Sequence, residues 1–424
     1  MNRTTAIALI ATSLCACNSS GQAAGNGSSG VAPGAPADAG AALPSSGAKP
    51  FKVEQIAEFD EPWAMVFLPD GGALVTEKKG AVKLWRAGGS QTDVAGVPKV
   101  AYGGQGGLLD IALAPDFATS QTVYLSFSEP RTHGSSLALA RATLNLAGGM
   151  PRLDNVQVIW RAGSDGEGGQ FGAVIAFAPD GKSLFLTSGE RQRFTPAQDP
   201  NQALGKILHL TLDGKPAADN PHAGQNGAPF VIVTDPPEDT EQARKAKGRR
   251  VAVEGPNMVP AETWTSGHRN PYGLAFAPDG RLWEIEMGPK GGDEFNLIEK
   301  GANYGYPIVS NGDNYNGVPI PDHPTRPEFH APALYWNPSI SPAGLMFYDG
   351  KLWPQWKGSA FIGAMSGQAL IRIAVDGANV RKADQWDMGT RIRDVVEGPE
   401  GAIYLLEDGE KGAGGHLMKL TPAG

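Results

Sequence analysis

Cysteine is almost absent from this 424-residue chain, and the only two, Cys15 and Cys17, sit in its first seventeen residues. No disulfide can therefore brace the folded part, which must be held by its own core. Long apolar runs are missing as well: the N-terminal one, Ala6 to Leu14, falls far short of the ~20 residues that a membrane-spanning helix needs. Positive charge is not in excess either, with 36 Lys and Arg against 44 Asp and Glu for a net charge of -8. That balance argues against a nucleic-acid partner. Nor does any stretch keep the 3.6-residue periodicity of a long amphipathic helix, so the fold has to be built from strands.

The first residues, MNRTTAIALIATSLCACNSS, carry one Arg, an apolar run and then small residues, which is the order of an export signal. Leu14-Cys15-Ala16-Cys17 resembles a bacterial lipobox with Cys17 as the lipidated residue. The expectation is an exported, periplasmic or cell-envelope lipoprotein that meets a membrane only through that anchor. Residues 18–50 are Gly, Ser, Ala and Pro with almost no charge and no aromatic side chain, a composition unable to bury enough surface to order itself. The chain thus divides into a signal peptide (1–17), a disordered tether (18–50) and a folded domain (51–424).

Within that domain, an apolar residue, a Pro-Asp-Gly turn and an apolar strand recur as FLPDGGALVTE, LAPDFATSQTVYLSF, FAPDGKSLFLTSGE and FAPDGRLWEIEMG. Looser copies follow as FYDGKLWPQWKGSAFIGAM and EGPEGAIYLLED, giving six in all. A turn between two short strands, repeated around a chain with 57 Gly and 34 Pro, predicts an all-β, six-bladed propeller of four-stranded antiparallel blades. The spacing is uneven, and the longest insertion runs from about Asp213 to Thr263. Its run of acidic and then basic residues reads first as a solvated loop and second as a lid. The 9 Trp and 9 Tyr serve the blade core and, where exposed, suit the lining of a carbohydrate cleft.

The chemistry gathers between Gly267 and Pro307, GHRNPYGLAFAPDGRLWEIEMGPKGGDEFNLIEKGANYGYP. Arg269 offers a fork of donors for a carboxylate or a polarised carbonyl, and Asn270 adds an amide. Downstream, the Gly288-Pro289 turn and the acidic Asp293-Glu294 pair bring hard oxygen ligands of the kind that suits calcium. Taken together, GHRNPYGLAF and EMGPKGGDEFNLIEKGANYGYP resemble the soluble sugar dehydrogenases that use pyrroloquinoline quinone (PQQ), the glucose/sorbosone dehydrogenase family. The resemblance extends from about Phe51 to the C-terminus.

It implies oxidation of an aldose sugar or related aldehyde with PQQ and Ca2+ as cofactors and an external electron acceptor. By the same resemblance, Gln105 lies near substrate and quinone, and Arg269 and Asn270 contact the quinone. Arg391 and Arg393, which alternation puts on one face of a strand, grip its carboxylates. The carbonyls of Gly288 and Pro289 hold the catalytic calcium, Glu294 and Tyr304 build a second calcium site, and Asp313 is a further candidate ligand.

Three departures stand out. The position of the family's catalytic His is Gln170, which has no basic site near neutral pH. The family's Arg four residues on is Val174, and its quinone-contacting Lys is Ser366. Asp165 or Glu167, just ahead of Gln170, is the candidate replacement base, since a buried carboxylate can have a raised pKa. His268 is expected to structure the GHRNP turn, and His133 falls in a loop. Two rival readings follow: a calcium- and quinone-binding propeller that is weak or inactive as a catalyst, and a calcium-dependent sugar lactonase. The Arg cluster speaks against the lactonase, which has no quinone carboxylates to neutralise.

The anchor can be tested directly. Cys17→Ala is expected to leave an exported protein in the aqueous phase of a detergent partition, whereas the parent enters the detergent phase. Equal partition of both would remove the anchor.

Overall fold

The computed structural model describes Leu43, residues 46–234 and residues 248–424. Cys15, Cys17 and most of the expected tether lie outside these residues. Six four-stranded antiparallel sheets make up the domain, so the expected six-bladed propeller is what forms. Blade one comprises Pro62–Phe67, Ala73–Glu77, Ala81–Trp85 and Gln91–Asp93. Blade two takes Leu108–Leu113, Thr122–Arg131, Gly134–Asn145 and Arg152–Arg161, and blade three Gly172–Phe177, Ser183–Ser188, Lys206–Thr211 and Thr263–Ser266. Blade four is Pro271–Phe276, Leu282–Glu286, Asp293–Leu297 and Leu334–Trp336, and blade five Pro342–Phe347, Ala360–Ala364, Ala369–Asp376 and Asn379–Asp387. The last blade closes the ring: Ile392–Glu397, Ile403–Glu407 and His416–Pro422 receive Phe51–Glu58, paired from Phe51↔Pro422 to Glu58↔His416. Closure of first strand on last leaves neither end of the ring to open.

The Pro-Asp-Gly repeats are the turns between the first and second strands. In blades one, three and four the Asp side chain accepts the backbone N–H two residues on (Asp70 from Gly72 at 2.9 Å, Asp180 from Lys182 at 3.0 Å, Asp279 from Arg281 at 3.0 Å). The following glycine takes the left-handed conformation that such a turn requires, with φ of 83, 69 and 87° at Gly71, Gly181 and Gly280.

Toward the axis a second regularity appears. In all six blades the first strand slips register against the second, between Pro62 and Ala64, Leu108 and Ile111, Gly172 and Ile175, Pro271 and Gly273, Ala343 and Leu345, and Ile392 and Asp394. Each bulge frees backbone groups that must be paired elsewhere. Hydroxyls on the second strands take up this task in the first half of the ring. Thr76 accepts from Ala64 N and donates to Leu109 O of the next blade at 2.6 Å. Ser126 does the same between Asp110 N and Ala173 O, and Thr187 between Val174 N and Pro271 O. Two carboxylates on the wall of the axial cavity complete the set: Asp110 accepts from Ile175 N at 2.7 Å, and Asp394 bridges blade six to blade one through Met65 N at 3.0 Å. The six inner strands enclose an axial cavity of about 210 Å³ lined by Trp63, Asp110, Tyr272, Leu345, Arg393 and Asp394 among others.

The insertion in blade three contains a hairpin, Phe230–Thr234 with Gly248–Ala252. Most of its charged run falls outside the described residues. Arg249 of this hairpin donates to Asp165 O at 2.7 Å.

Burial, then the charge of Asp110, push Asp394 up to about 7 from 3.8. The folded state thus holds this proton more tightly than the unfolded one, a contribution complete below about pH 4 and lost as pH rises through about 7. Asp394→Asn is therefore expected to shrink the fall in Tm between pH 5 and pH 8. A fall as large as the parent's would count against the assignment.

Candidate active site at one mouth of the channel

The start of a blade's first strand and the end of its second lie at the same end of the hairpin. Residues from both places therefore collect around one mouth of the channel. Gln105, Gln170 and Arg269-Asn270 precede the first strands of blades two, three and four, while Arg391 and Arg393 open that of blade six. Lys78, Glu190, Gly288 and Asp408 follow the second strands of blades one, three, four and six.

Four of the expected residues are joined by hydrogen bonds. Gln105 Oε1 accepts Gln170 N at 2.7 Å and the Tyr272 hydroxyl at 3.3 Å. In the amide orientation that its neighbours demand, Gln170 accepts from Arg269 Nη2 at 2.8 Å and donates to Glu190 Oε1. Arg269 donates through Nη1 to Met287 O at 3.0 Å and Gly288 O at 2.7 Å. Asn270 Oδ1 accepts Gly172 N at 3.2 Å, which pins the strand after Gln170. Gln170, Glu190, Arg269, Asn270 and Tyr272 are buried, and Gln105 is half-buried.

The backbone here is held in uncommon conformations. Gln170, Ala173, Arg191, Gln192 and Phe194 have φ of 53, 85, 63, 59 and 60°, a cluster of left-handed non-glycine residues that the surroundings must enforce. Glu190, fully buried, accepts the N–H groups of Gln192 (2.9 Å), Arg193 (2.6 Å) and Phe194 (2.5 Å). Arg191 donates to the carbonyls of Gly166 (3.2 Å), Gly168 (2.8 Å) and Gly169 (3.0 Å), its guanidinium 3.8 Å from the Phe171 ring centroid. The loop that presents Gln170 is thus tied down from below.

On the opposite side of the mouth, Arg391 and Arg393 both bind Asp408, Arg391 Nε at 2.7 Å from one oxygen and Arg393 Nε at 2.7 Å from the other. Burial opposes ionisation of Asp408, but the two guanidinium groups outweigh it and hold its carboxyl below the usual value. Lys78 lies beside them, donating to Gly104 O at 2.9 Å and paired with Glu410. Burial, then the charge of Arg393, lower it to about 8. Sequence reasoning missed Lys78, Glu190, Arg191, Tyr272 and Asp408. The motif GERQRF directly after an apolar strand marks the loop that carries two of them, without indicating what they do there.

The residues expected at the metal sites are spread more widely. Gly288 and Pro289 form a turn so tight that a Cβ on Gly288 would stand 2.3 Å from both Gly291 O and Gly292 O. Asp293 fastens this turn, accepting Gly288 N at 2.9 Å, Ser339 Oγ at 2.7 Å and Ile340 N at 2.7 Å. Glu294 faces Asn296 Nδ2 at 3.3 Å and His323 Nε2 at 3.4 Å. Tyr304 donates its hydroxyl to Leu297 O at 2.5 Å and stacks on His268. Asp313 is exposed and joins Lys290 through backbone bonds.

Of the two carboxylates ahead of Gln170, Glu167 is exposed and Asp165 lies 3.7 Å from Arg249. The carboxylate that touches Gln170 is Glu190. Val174 lines the axial cavity, and Ser366 is an exposed hydroxyl bonded to Ser341 Oγ at 2.8 Å. His268 does structure its turn, set between Glu286 Oε1 (3.1 Å) and Thr265 Oγ1 (2.9 Å).

Comparison with known proteins agrees with this geometry. The family model described as Glucose / Sorbosone dehydrogenase matches residues 59–234 and 249–419. The aldose sugar dehydrogenase YliI of Escherichia coli K12 is 36% identical over 376 residues, covering 86% of this chain and 91% of its own. The crystal structure of the soluble aldose sugar dehydrogenase from Escherichia coli in its apo-form superposes with a TM-score of 0.73 at 34% identity, over 88% of this chain and 99% of that one. The PQQ-bound form of the aldose sugar dehydrogenase of Streptomyces coelicolor gives 0.66 at 26% identity, over 90% and 99%.

Removing the Glu190 carboxylate leaves buried N–H groups without an acceptor. Glu190→Ala is expected to cost about 3 kcal/mol or more. Glu167→Ala, at an exposed position, should stay within about 0.5 kcal/mol. Denaturant midpoints of the two variants check this, and similar midpoints would refute it.

Proposed function

Because the chain belongs to the glucose/sorbosone dehydrogenase family, whose members oxidise sugars, we propose that it oxidises aldoses or related aldehydes to lactones or acids. On this reading PQQ and calcium are bound at the channel mouth, and electrons leave to an external acceptor. The observation that carries it is the hydrogen-bonded run of Gln105, Gln170 and Arg269, with Asn270 holding Gly172 beside it, at the same mouth of the channel as Arg391 and Arg393.

The residues present fit both groups. Two guanidinium groups share the one carboxylate of Asp408, so the pair keeps an excess of positive charge suited to the carboxylates of PQQ. The Gly288 turn packs carbonyl oxygens tightly, a hard-oxygen donor set that suits calcium. When bound, PQQ supplies a two-electron acceptor for the sugar hydride. Arg391 and Arg393 would hold it, while Arg269, steadied by Met287 O and Gly288 O, presents positive charge where negative charge builds.

Proton removal is the weak point. Gln170 holds a neutral amide between Arg269 and Glu190, and this supports a second reading, a cofactor-binding propeller that turns over slowly. A positioned base contributes about 10²–10⁴ in rate. Reconstitution with PQQ and calcium, followed by an aldose screen with a dye acceptor, should give slow turnover in the parent. Gln170→His should raise it by about that factor and introduce a pKa near ~6.5. PQQ binding without turnover in either protein would leave only the second reading, and absence of PQQ binding would overturn both.

A further inference from the structure

Blade three holds a lysine that the dehydrogenase reading does not use. The strand Lys206–Thr211 places a cation at the head of an apolar run, LGKILHL. Lys206 is 1% exposed, a state that lysine almost never reaches unpaired. Its partners are backbone oxygens: Nζ donates to Pro196 O at 2.8 Å, Ala197 O at 2.9 Å and Leu204 O at 2.9 Å. Three acceptors match the three N–H bonds of an ammonium, whereas a neutral amine would turn its lone pair on one of them. Burial pulls the pKa of Lys206 down to about 7, and the converging carbonyls oppose that shift. Carbonyl oxygens closing around one point can replace the hydration shell of a small monovalent ion, and here the ion is attached through the lysine stem.

The segments that supply these oxygens run to the channel mouth. Ala197 O also accepts Gly267 N at 3.0 Å, and Gly205 O accepts His268 N at 3.2 Å. The two segments touch at Gly205, where a Cβ would lie 2.5 Å from Ala197 Cβ and 2.6 Å from His268 O. Gly267 and His268 lead directly into Arg269, whose carbonyl accepts Glu190 N at 2.9 Å, while Gln170 O accepts Arg191 N at 3.3 Å. Ala197 packs with Phe194 and Tyr306, and the Arg269 guanidinium lies 5.9 Å from the Tyr306 ring centroid. Glu190 and Arg191 thus fasten the front of the 190–205 loop, and Lys206 fastens its back.

We propose that the three carbonyls form a monovalent-cation site filled by the Lys206 ammonium, and that Lys206 acts through it as a positioning residue, clamping the 190–205 loop to the turn that presents Arg269. Without the ammonium, three carbonyl dipoles face one another in a buried space. The loop then separates from Gly267, and Arg269 loses its support. The ligand class follows from the donor count: an ion with three N–H bonds on a short alkyl stem. Propylammonium is such an ion, and it reproduces the part of the side chain that Lys206→Ala deletes. The consequence for cofactor binding rests on the dehydrogenase reading, whereas the clamp itself does not.

The test uses the full chain and needs no cofactor. Native-state hydrogen exchange is compared for the parent, Lys206→Ala and Lys206→Met, each in propylammonium chloride and in choline chloride at equal concentration. Choline carries the charge without N–H donors. In choline, both variants are expected to exchange about tenfold faster or more over residues 190–205 and 263–270, with Ile403–Glu407 of blade six unchanged. Propylammonium should restore parent-like exchange to Lys206→Ala alone, because the methionine stem fills the space that the ion needs. A parent-like Lys206→Met, an increase spread evenly over all blades, or no advantage of propylammonium over choline overturns the proposal. If Lys206→Ala does not fold, its refolding yield in the two salts is read instead, and equal yields overturn it as well. In a second arm, PQQ affinity should fall about tenfold in Lys206→Ala and return with propylammonium. An unchanged affinity overturns the positioning role. A parent that binds no PQQ counts against the dehydrogenase reading alone, because exchange over residues 263–270 still decides whether Lys206 holds Arg269 in place.

Discussion

Six first strands converge on one axis, and each must bulge to fit, so the backbone groups released there have to be paired without water. That constraint governs the rest of the propeller. Thr76, Ser126 and Thr187 meet it by accepting from their own blade and donating to the next. Asp110 and Asp394 meet it with carboxylates on the cavity wall that accept from the neighbouring blade. A net hydrogen bond is worth only about 1 kcal/mol, but an unpaired buried group costs about 1–3 kcal/mol. The hydroxyls and carboxylates therefore fix the blade order at the axis more by what their loss would cost than by what they add.

The same constraint shapes the channel mouth. Where blade three enters the axis, the chain runs through left-handed residues at Gln170 and Ala173, and where it leaves, through Arg191, Gln192 and Phe194. Such conformations cost of order 1–3 kcal/mol each. Glu190 and Arg191 offset this by taking three N–H groups on one side and four carbonyls, those of Ser135, Gly166, Gly168 and Gly169, on the other. The outcome is a rigid loop whose tip, Gln170, is aimed at Arg269. Rigidity at that point is what the proposed sugar oxidation would require.

The fold was legible in the sequence because its unit repeats: Pro-Asp-Gly before an apolar strand is local chemistry, and local chemistry can be read one copy at a time. The joining of Gln105, Arg269 and Asn270 was legible through their motifs. Glu190 was not, because its role depends on a turn closing back on its own carboxylate, and nothing in GERQRF announces left-handed backbone. The choice of Asp165 or Glu167 as the carboxylate next to Gln170 followed sequence distance. In the folded chain the hairpin of the insertion draws Asp165 toward Arg249, and Glu167 faces solvent. The paired glutamates of blade four escaped for another reason. LWEIE, Leu282–Glu286, reads as a strand with one polar face, and such a face belongs to solvent unless a loop covers it, as the one that carries His268 does here beside Glu286.

Gln170 is best understood through its neighbours. A side chain at this position stands between a guanidinium and a carboxylate, Arg269 and Glu190. An amide satisfies both at once, because one end accepts and the other donates. A neutral imidazole would also present one acceptor and one donor nitrogen, and the ion pair on either side would select its tautomer. The site thus keeps the hydrogen-bonding requirements of a histidine while holding a residue that cannot take a proton. By the resemblance that puts the family's catalytic His at this position, an amide here alters the proton chemistry and leaves the surrounding geometry in place. On the proposed function, the sugar hydroxyl proton must therefore leave through a group other than the side chain of residue 170.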